Sequence, residues 1–124
     1  MRLITKQLTA AAVLAVAAVA VGVRAVRRVT IEGDSMRPTL EPGDRLVLLP
    51  ARTAHRGDLV GVADPAGTGR LLVKRVAAAP GETAVTADGA RVAAGAGYIV
   101  VGDNPSASTD SRHFGPVEPG RIRG

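Results

Sequence analysis

From residue 29 onward the sequence consists of short apolar runs separated by glycine, proline and aspartate, and this punctuation constrains the fold more than any other feature. None of the runs keeps a helical period over a useful length, whereas each is long enough for a β-strand. Residues 65–69 and 87–89 are typical of hairpin turns between such strands. The pattern predicts a small all-β barrel or folded sheet. The predicted strands are residues 29–31, 45–49, 58–63, 70–77, 83–86, 91–93 and 98–101.

The segment that precedes this domain is of a different kind. Residues 8–23 carry no charge and a single hydroxyl. As a helix they would span about 24 Å, a little short of a ~30 Å hydrocarbon core, and Lys6 and Arg24 could reach the interfaces and close the gap. We expect residues 1–28 to form one transmembrane anchor with basic flanks and residues 29–124 to form the domain outside the membrane. A cleaved signal peptide is an alternative, because the Ala-Val-Ala triplets resemble cleavage sites; a buried core helix is disfavoured, since no polar residue marks a solvent face.

The net charge of +5 belongs wholly to the N-terminal segment. Residues 1–28 hold five basic and no acidic residues, whereas residues 29–124 hold eleven of each. A neutral domain gives no argument for nucleic-acid binding. The chain has no cysteine and only two, widely separated histidines, so the sequence excludes disulfides and predicts no metal site.

Lys74 stands out because the rest of the domain uses arginine for positive charge. Of the sixteen basic residues only Lys6 and Lys74 are lysine. A buried lysine can lose its proton because desolvation lowers its pKa, whereas arginine keeps its proton. Strand alternation places Lys74 on one face with Leu72 and Val76 and turns Arg75 to the other face. These features favour a general base, although a single lysine can also arise by chance in an arginine-rich composition.

Ser35 is the candidate nucleophile that such a base would serve. It lies 39 residues before Lys74, in the sequence Gly-Asp-Ser-Met-Arg-Pro-Thr-Leu at residues 33–40. A serine hydroxyl is a poor nucleophile until a base removes its proton. His55 and His113 are weak candidates for that base, since neither lies in a convincing motif. The sequence therefore favours hydrolysis by a serine–lysine pair.

A neutral buried amine must be oriented by hydrogen bonds, and the polar segment 102–112 offers partners. A hydroxyl is suitable because it adds no charge that would re-protonate the amine. The candidates are Ser108, Thr109 and Ser111.

Asp110 and Arg112 lie two residues apart, so in an extended segment they share a face and could pair. The oxyanion would be bound by backbone N–H groups at the Ser35 turn. Taken alone, a stretch rich in serine, threonine and aspartate is more typical of a hydrated loop.

Four segments, in the same order along the chain, resemble the motifs of the type I signal peptidases. A single Ser-Met-x-Pro would be a weak signal, but the ordered set is strong and covers most of residues 29–120. The matching segments are residues 33–40 for the Ser-Met-x-Pro-Thr-Leu motif, 56–60 for a Gly-Asp-hydrophobic strand, 72–76 with 80–82 for the segment of the general-base lysine, and 102–112 with 115–117 for the Gly-Asp-Asn…Ser-x-Asp-Ser-Arg segment.

The resemblance implies a role for each matching residue. Ser35 would be the acylated nucleophile, Lys74 the general base and Ser108 the hydroxyl that orients Lys74. The family fold is largely β, with a groove that binds the substrate as an added strand and prefers small residues, typically alanine, at the first and third positions before the cut. The reaction needs no metal or cofactor.

The remaining residues implied by the resemblance support the nucleophile, the base or the substrate. Some members have a hydroxyl residue two positions before the nucleophile, where it helps to bind the oxyanion; here that position is a glycine, so only backbone amides remain, chiefly that of Ser35. The supporting residues are Asp103, Asp110 and Arg112, with the last two as a pair, and the residues for the oxyanion or the substrate are Gly33, Asp34, Met36, which would line the site, and Pro38, which would shape the turn.

We therefore expect a membrane-anchored serine endopeptidase that removes signal peptides from exported precursors. It would cross the plasma membrane once, with its catalytic domain on the extracytoplasmic face; because basic residues flank both ends of residues 8–23, the charges alone determine this orientation poorly.

One alternative is a dedicated maturation protease of a single partner protein, like small members that resemble nickel superoxide dismutase maturation proteases; the anchor argues against it. The other is a non-catalytic relative that binds peptides in the groove; intact Ser35, Lys74 and Ser108 argue against that. Residues 121–124 depart from the family's Gly-Arg-Ala-type strand, so we expect a shortened or altered last strand.

Overall fold

A computed structural model describes residues 27–49 and 53–123 of the chain. The expected anchor at residues 8–23 lies outside the described residues. Within those residues, no helix combines the length and the apolar character needed to cross a membrane.

Strands dominate the described part of the chain, and the all-β expectation is confirmed there. Two 3-10 turns lie at Pro105–Ala107 and Pro119–Arg121. The strands are β1 (Arg27–Thr30), β2 (Arg45–Leu48), β3 (Leu59–Ala63), β4 (Leu71–Ala78), β5 (Thr83–Val85), β6 (Arg91–Ala93), β7 (Ile99–Val101) and β8 (Ile122–Arg123), and the helix α1 (Ser111–Phe114) lies between β7 and β8.

The strands form one central sheet and two ribbons. The central sheet is antiparallel with the order β7-β4-β3-β8, and β1 pairs with β2 and β5 with β6. Across residues 27–49 and 53–123 these ladders do not join into one closed sheet, so the folded-sheet form of the prediction is the observed one. β4 is the longest strand and has partners on both sides, which places Lys74 opposite Val60 in the middle of the domain.

The two predicted hairpin turns are present. Residues 65–69 connect β3 with β4, and residues 87–89 connect β5 with β6. Local turn residues were sufficient to place both connections. The four-residue helix α1 was not predicted, because it is too short to produce a hydrophobic period. The two-residue strand β8 on the edge of β3 lies within residues 121–124, where a shortened or altered last strand was expected.

Small aliphatic side chains build the core, as expected for a chain with one tyrosine and one phenylalanine. Each fully buried valine or isoleucine side chain stabilises the fold by roughly 1.5–3 kcal/mol, and each buried alanine by less. A second, smaller cluster joins β4 and β7 to the β5–β6 ribbon. The larger cluster contains Ala54, Val60, Val62, Val76, Tyr98, Val100 and Val117.

Gly61 of β3 is where the β1–β2 ribbon meets the central sheet. A Cβ atom at this position would lie 2.5 Å from Leu48 Cδ1 and 2.9 Å from the carbonyl oxygen of Arg123. Both distances are shorter than van der Waals contact, so only glycine admits the buried Leu48 side chain here. The contact holds the ribbon against the sheet, and with it the loop between β1 and β2 that carries Ser35.

Candidate active site

Ser35 lies in a turn that begins just after β1. The turn is closed by hydrogen bonds from Arg37 N–H to the Asp34 carbonyl at 3.1 Å and from Leu40 N–H to the Met36 carbonyl at 2.9 Å. Met36 is 1% exposed and anchors the turn in the protein interior, while Ser35 stays half-buried at the surface of a cleft. The buried Met36 thus fixes the position of the turn directly beside Ser35.

Lys74 lies on β4 with its side chain 4% exposed. Its Nζ donates to Ser108 Oγ at 3.0 Å. Arg75 turns to the opposite face, where its Nε and Nη2 each lie 2.8 Å from an oxygen of Asp103. The alternation expected along this strand therefore separates the buried amine from the neighbouring guanidinium.

Ser108 links Lys74 to a buried carboxylate. Ser108 Oγ donates to Asp110 Oδ2 at 2.7 Å, and the same oxygen accepts from Gly102 N–H at 2.9 Å. Arg112 Nε donates to Asp110 Oδ1 at 2.9 Å. Asp110 is fully buried, and its carboxylate accepts hydrogen bonds from the donors just named. Its negative charge is therefore compensated without Lys74.

The pairing of Asp110 with Arg112 has a different origin from the one expected. The two residues are not on one face of an extended segment, because Asp110 caps helix α1. Its carboxylate accepts from Arg112 N–H at 3.1 Å, and its own N–H donates to His113 Nδ1 at 3.2 Å. This reciprocal cap turns the Arg112 side chain back onto the carboxylate.

The surroundings shift the pKa values of both charged groups. Burial lowers the pKa of the Lys74 amine; the negative charge of Asp110 opposes this, and the positive charge of Arg112 adds to it. For Asp110, burial acts to raise the pKa, but hydrogen bonds from Arg112, Gly102 and Ser108 outweigh burial and lower the pKa overall. The site thus favours an ionised carboxylate and a lysine that loses its proton more easily than an exposed one.

Ser35 and Lys74 both line one open cleft of about 620 Å³. No hydrogen bond joins Ser35 Oγ to Lys74 Nζ, although both residues belong to the described ranges. Hydrogen bonds between catalytic groups are often long or absent before a substrate binds. The other residues of the cleft are Glu32, Gly33, Asp34, Asp64, Pro65, Ala66, Leu72, Ala107, Thr109 and Phe114.

Of the three hydroxyl residues predicted as candidates for orienting Lys74, only one contacts the amine. Ser108 contacts the amine, and Ser111 instead accepts from Val100 N–H at 2.9 Å, which ties α1 to β7. Thr109 is exposed and lines the cleft.

Asp103 and Asn104 join the central sheet to the Ser35 turn. Asp103 Oδ2, already paired with Arg75, accepts from Thr39 Oγ1 at 2.6 Å, and the hydrogen bond from Arg75 lowers the pKa of this carboxyl. Asn104 N–H donates to the Ser35 carbonyl at 2.8 Å, and Asn104 Nδ2 donates to the Asp34 carbonyl at 3.1 Å. No role was predicted for Asn104, because its contact with Asp34 spans 70 residues and leaves no local signal in the sequence.

Gly102 permits this contact between the two segments. A Cβ atom here would lie 2.3 Å from Ser108 Oγ and 2.6 Å from the Ser35 carbonyl oxygen. The backbone at residue 102 therefore has to pass between the Ser35 turn and Ser108 without any side chain.

The residues predicted for the oxyanion or the substrate all lie on the turn that carries Ser35, but they face different surroundings. Gly33 and Asp34 line the large cleft, whereas Met36 lines a smaller neighbouring cavity together with Ser35 and Lys74. Pro38 is exposed on the turn and Asp34 forms an ion pair with Arg37 at 2.7 Å. Across residues 27–49 and 53–123, no group of three or more histidine, aspartate or glutamate side chains is placed to hold a metal ion.

Sequence comparisons relate the chain to known proteases. A sequence model of the family described as signal peptidase, peptidase S26, matches residues 4–95, a range that includes Ser35 and Lys74. The chain is 33% identical to signal peptidase I V of Bacillus subtilis in an alignment of 135 positions that covers 76% of this chain and 79% of that protein.

Two further relatives are mitochondrial. Mitochondrial inner membrane protease subunit 1 of Schizosaccharomyces pombe is 36% identical over 101 residues, which cover 73% of this chain and 64% of that protein. Mitochondrial ATP-independent inner membrane protease subunit 1a of Arabidopsis thaliana is 38% identical over 109 residues, which cover 76% of this chain and 64% of that protein. The chain thus spans just under two thirds of the length of these two proteins.

Proposed function

The chain belongs to the signal peptidase family, peptidase S26, and on this premise we propose that it is a membrane-anchored serine endopeptidase that removes signal peptides from exported precursors. Membership of this family identifies the chain as a protein of a protease family, and the substrates of such a family are proteins. Its catalytic pair, its substrate class and its membrane location are proposed from the residues and contacts below.

The surroundings of Lys74 are the observation that carries this proposal. A buried lysine with a purely structural role would normally pair with a carboxylate, because an unpaired buried charge is costly. Here the nearby carboxylate, Asp110, is paired with Arg112, and the amine is hydrogen-bonded to the neutral hydroxyl of Ser108. An amine in this environment gives up its proton readily and can act as a base toward Ser35 in the same cleft.

The reaction follows from these positions. Ser35 Oγ attacks the scissile carbonyl carbon while Lys74 Nζ takes the hydroxyl proton, and the oxyanion accepts from Ser35 N–H. The tetrahedral intermediate collapses as the peptide C–N bond breaks, and Lys74 passes the proton to the leaving amine. Water then attacks the acyl-serine with Lys74 again as the base, which releases the carboxylate product and restores Ser35.

The cleft suits an extended peptide with small side chains. Its apolar lining comes from Ala66, Leu72, Ala107 and Phe114, beside the turn that carries Ser35. A substrate lying there as an added strand would place alternate side chains against these residues. This supports a preference for alanine at the first and third positions before the cut.

The membrane location rests on residues 8–23 and on the relatives. Two of those relatives are named as proteases of the mitochondrial inner membrane. An uncharged helix flanked by Lys6 and Arg24 would hold the domain at a membrane surface, where precursors emerge. We propose a single-pass plasma membrane protein with its catalytic domain on the extracytoplasmic face.

The test is cleavage of a secretory precursor that has an Ala-x-Ala site by the detergent-solubilised full chain, with the product termini read by mass spectrometry. We expect a cut after the second alanine. Ser35→Ala should abolish the cut, and Thr83→Ala, which removes an exposed hydroxyl on β5, should leave it unchanged.

The other outcomes separate the alternatives. No cleavage of any precursor by a folded wild-type chain would contradict the endopeptidase and favour a non-catalytic relative that binds peptides. Cleavage of one partner protein and of no Ala-x-Ala precursor would favour a dedicated maturation protease. A cut that persists in Ser35→Ala would exclude Ser35 as the nucleophile.

A further inference from the structure

Asn104 has no part in the reaction as described, yet it holds the backbone on both sides of the nucleophile. Its side-chain Nδ2 donates to the Asp34 carbonyl at 3.1 Å, and its main-chain N–H donates to the Ser35 carbonyl at 2.8 Å. The Asp34 carbonyl also accepts from Arg37 N–H at 3.1 Å, so it is fully hydrogen-bonded.

The Asp34 carbonyl and the Ser35 N–H belong to one peptide unit. Because a trans peptide is planar and its C=O and N–H point in opposite directions, a donor that fixes the carbonyl also fixes the direction of the N–H. A hydrogen bond to the carbonyl also polarises the unit and strengthens its N–H as a donor. Within residues 27–49 and 53–123, Ser35 N–H donates to no acceptor, so it is available to a substrate oxygen in the cleft.

Gly33 explains why this N–H matters in this chain. Gly33 has a φ of 72°, in the left-handed region that residues with side chains rarely adopt. A hydroxyl residue at position 33 would therefore need a different turn. The oxyanion site has no side-chain donor from this position and depends on the Ser35 N–H.

We propose that Asn104 is a positioning residue for the oxyanion site, which it serves by holding and polarising the Asp34–Ser35 peptide. The inference rests on the proposed endopeptidase function and names a residue that acts through the Ser35 N–H without touching the substrate.

The amide of Asn104 is itself held in one orientation. Ser106 Oγ donates to Asn104 Oδ1 at 3.2 Å, which directs the Nδ2 group to the Asp34 carbonyl. Asn104 also precedes Pro105, and the ring of a proline disfavours the helical region for the residue before it. The φ of −112° and ψ of 89° of Asn104 lie outside that region. Two local constraints thus prepare the contact before a substrate arrives.

Asn104→Ala and Asn104→Asp in the full chain test the proposal. Both variants keep the main-chain N–H that donates to the Ser35 carbonyl, so only the contact with the Asp34 carbonyl is lost. The aspartate has the same shape but can only accept, and it faces another acceptor. We expect kcat to fall by about tenfold or more in Asn104→Ala and further in Asn104→Asp, with KM within about twofold; outright loss of an oxyanion donor reduces kcat by about 10²–10³-fold. The pH dependence of kcat in Asn104→Ala should stay that of the wild type, because this variant neither touches Lys74 nor adds a charge; Asn104→Asp adds one and does not enter this comparison.

A pair of matched inhibitors separates positioning from general damage. A peptide aldehyde with an Ala-x-Ala sequence forms a bond from Ser35 Oγ to its carbonyl carbon, and its oxygen then occupies the oxyanion site. The corresponding peptide alcohol has a hydroxyl group in place of the aldehyde, so it binds without forming a bond to Ser35 Oγ. We expect Asn104→Ala to weaken the aldehyde by the same factor as kcat and to leave the affinity of the alcohol unchanged.

Asp58→Ala is the control, since it removes a side-chain hydrogen bond to a backbone N–H, that of His55 at 2.8 Å, in an exposed turn outside the cleft. Its kcat should equal that of the wild type. If Asn104→Ala does not fold, Ser106→Ala releases the other end of the amide and should lower kcat by about two- to tenfold, the range of one neutral hydrogen bond.

Unchanged kcat in folded Asn104→Ala and Asn104→Asp would overturn the proposal. Equal weakening of the aldehyde and the alcohol by Asn104→Ala, or a shifted pH dependence in that variant, would also overturn it. If the wild type and Asp58→Ala are both inactive, the endopeptidase function itself is wrong, and the inference falls with it.

Discussion

Lys74 Nζ lies 3.0 Å from Ser108 Oγ. That hydroxyl has one proton, and it donates it to Asp110 Oδ2 at 2.7 Å. Ser108 therefore accepts from the amine, and a neutral Lys74 can meet it with one of its own N–H groups. The nitrogen lone pair is then left on another side, where it can take the proton of Ser35.

Activity should depend on the proton of Lys74. Because burial lowers the pKa of this amine, the rate should rise with pH and level off above that lowered pKa, at a lower pH than an exposed lysine would require. Lys74→Arg should lower kcat by about 10²–10⁴-fold or more, because arginine cannot accept the proton. The measurement is kcat for a peptide substrate across neutral to alkaline pH. A flat profile, or full activity in Lys74→Arg, would contradict a lysine base.

Removal of the Asp110 charge should move this profile in a defined direction. The carboxylate raises the pKa of Lys74 against the effect of burial, so Asp110→Asn should lower the pKa further. The rise in rate should then begin at a lower pH than in the wild type, even if the maximal rate is smaller. The pH dependence of kcat for the two proteins gives the shift. A rise at the same pH in Asp110→Asn would show that the charge does not act on Lys74, and a rise at higher pH would contradict the expected direction.

Asp110 should also contribute strongly to stability. It is fully buried and pairs with Arg112, and removal of one partner from such a pair destabilises a protein by about 3–5 kcal/mol. Because the folded state lowers the pKa of this carboxyl, its contribution is present above the pKa of an ordinary carboxyl and is lost as the pH falls through the lowered value. Urea unfolding should therefore show a large difference between wild type and Asp110→Ala at neutral pH and a smaller one in acid. Equal differences at both pH values would contradict the linkage.

Ser108→Ala and Ser111→Ala form a matched pair. Both serines are buried and lie three residues apart, but Ser108 contacts the amine and Ser111 accepts from Val100 N–H. Each change should lower the free energy of unfolding by about 1–3 kcal/mol, since each leaves a buried polar group without its partner. Only Ser108→Ala should lower kcat, by about 10²-fold, as expected for a misdirected base. Equal kcat values in the two variants would show that Ser108 has a structural role alone.

Gly102→Ala should impair both folding and catalysis. The new methyl group would overlap with Ser108 Oγ and with the Ser35 carbonyl oxygen, so either the Ser35 turn or the partner of Lys74 must move. Forced overpacking costs about 1–3 kcal/mol or more. Gly120→Ala is the control, because a Cβ atom there meets nothing within 4 Å and its φ is not in the left-handed region. Thermal unfolding and kcat of both variants are the measurements; a Gly102→Ala variant as active as Gly120→Ala would mean that the contact is not tight.

Deletion of residues 1–26 should release the domain from membranes while keeping β1. We expect the full chain to sediment with the membrane fraction after a carbonate wash and the shortened chain to remain in the supernatant. A shortened chain that still sediments would contradict the anchor. If expression of the full-length sequence instead yields a soluble protein of reduced mass, residues 8–23 belong to a cleaved signal peptide.

Local patterns predicted the parts of the structure that depend on neighbours in sequence. Alternation along β4 separated Lys74 from Arg75, because side chains on a strand point to opposite faces regardless of the strand's partners. The hairpin turns at residues 65–69 and 87–89 were predictable for the same reason, since their turn residues lie next to one another.

Contacts between distant segments were beyond such reasoning. Nothing in the sequence indicates that Asn104 reaches the Asp34 carbonyl, because that contact depends on how β7 leads the chain past the Ser35 turn. The Asp110–Arg112 pair shows a subtler case: the expectation of pairing agreed with the structure, but a helix cap and not an extended face brings the two together.

The groups of this site leave the ribosome in a fixed order, with Ser35 first, Lys74 next and Asp110 last. Until the segment with Ser108 and Asp110 has been made, the amine has no partner to orient it and no packed surroundings to displace its proton. Under the proposed mechanism Lys74 is then an ordinary charged lysine beside an inert hydroxyl. Under the proposed mechanism, an unfinished chain that lacks Ser108 and Asp110 therefore holds the base but not the contacts that would activate it, and the chance of cutting itself during synthesis should be low.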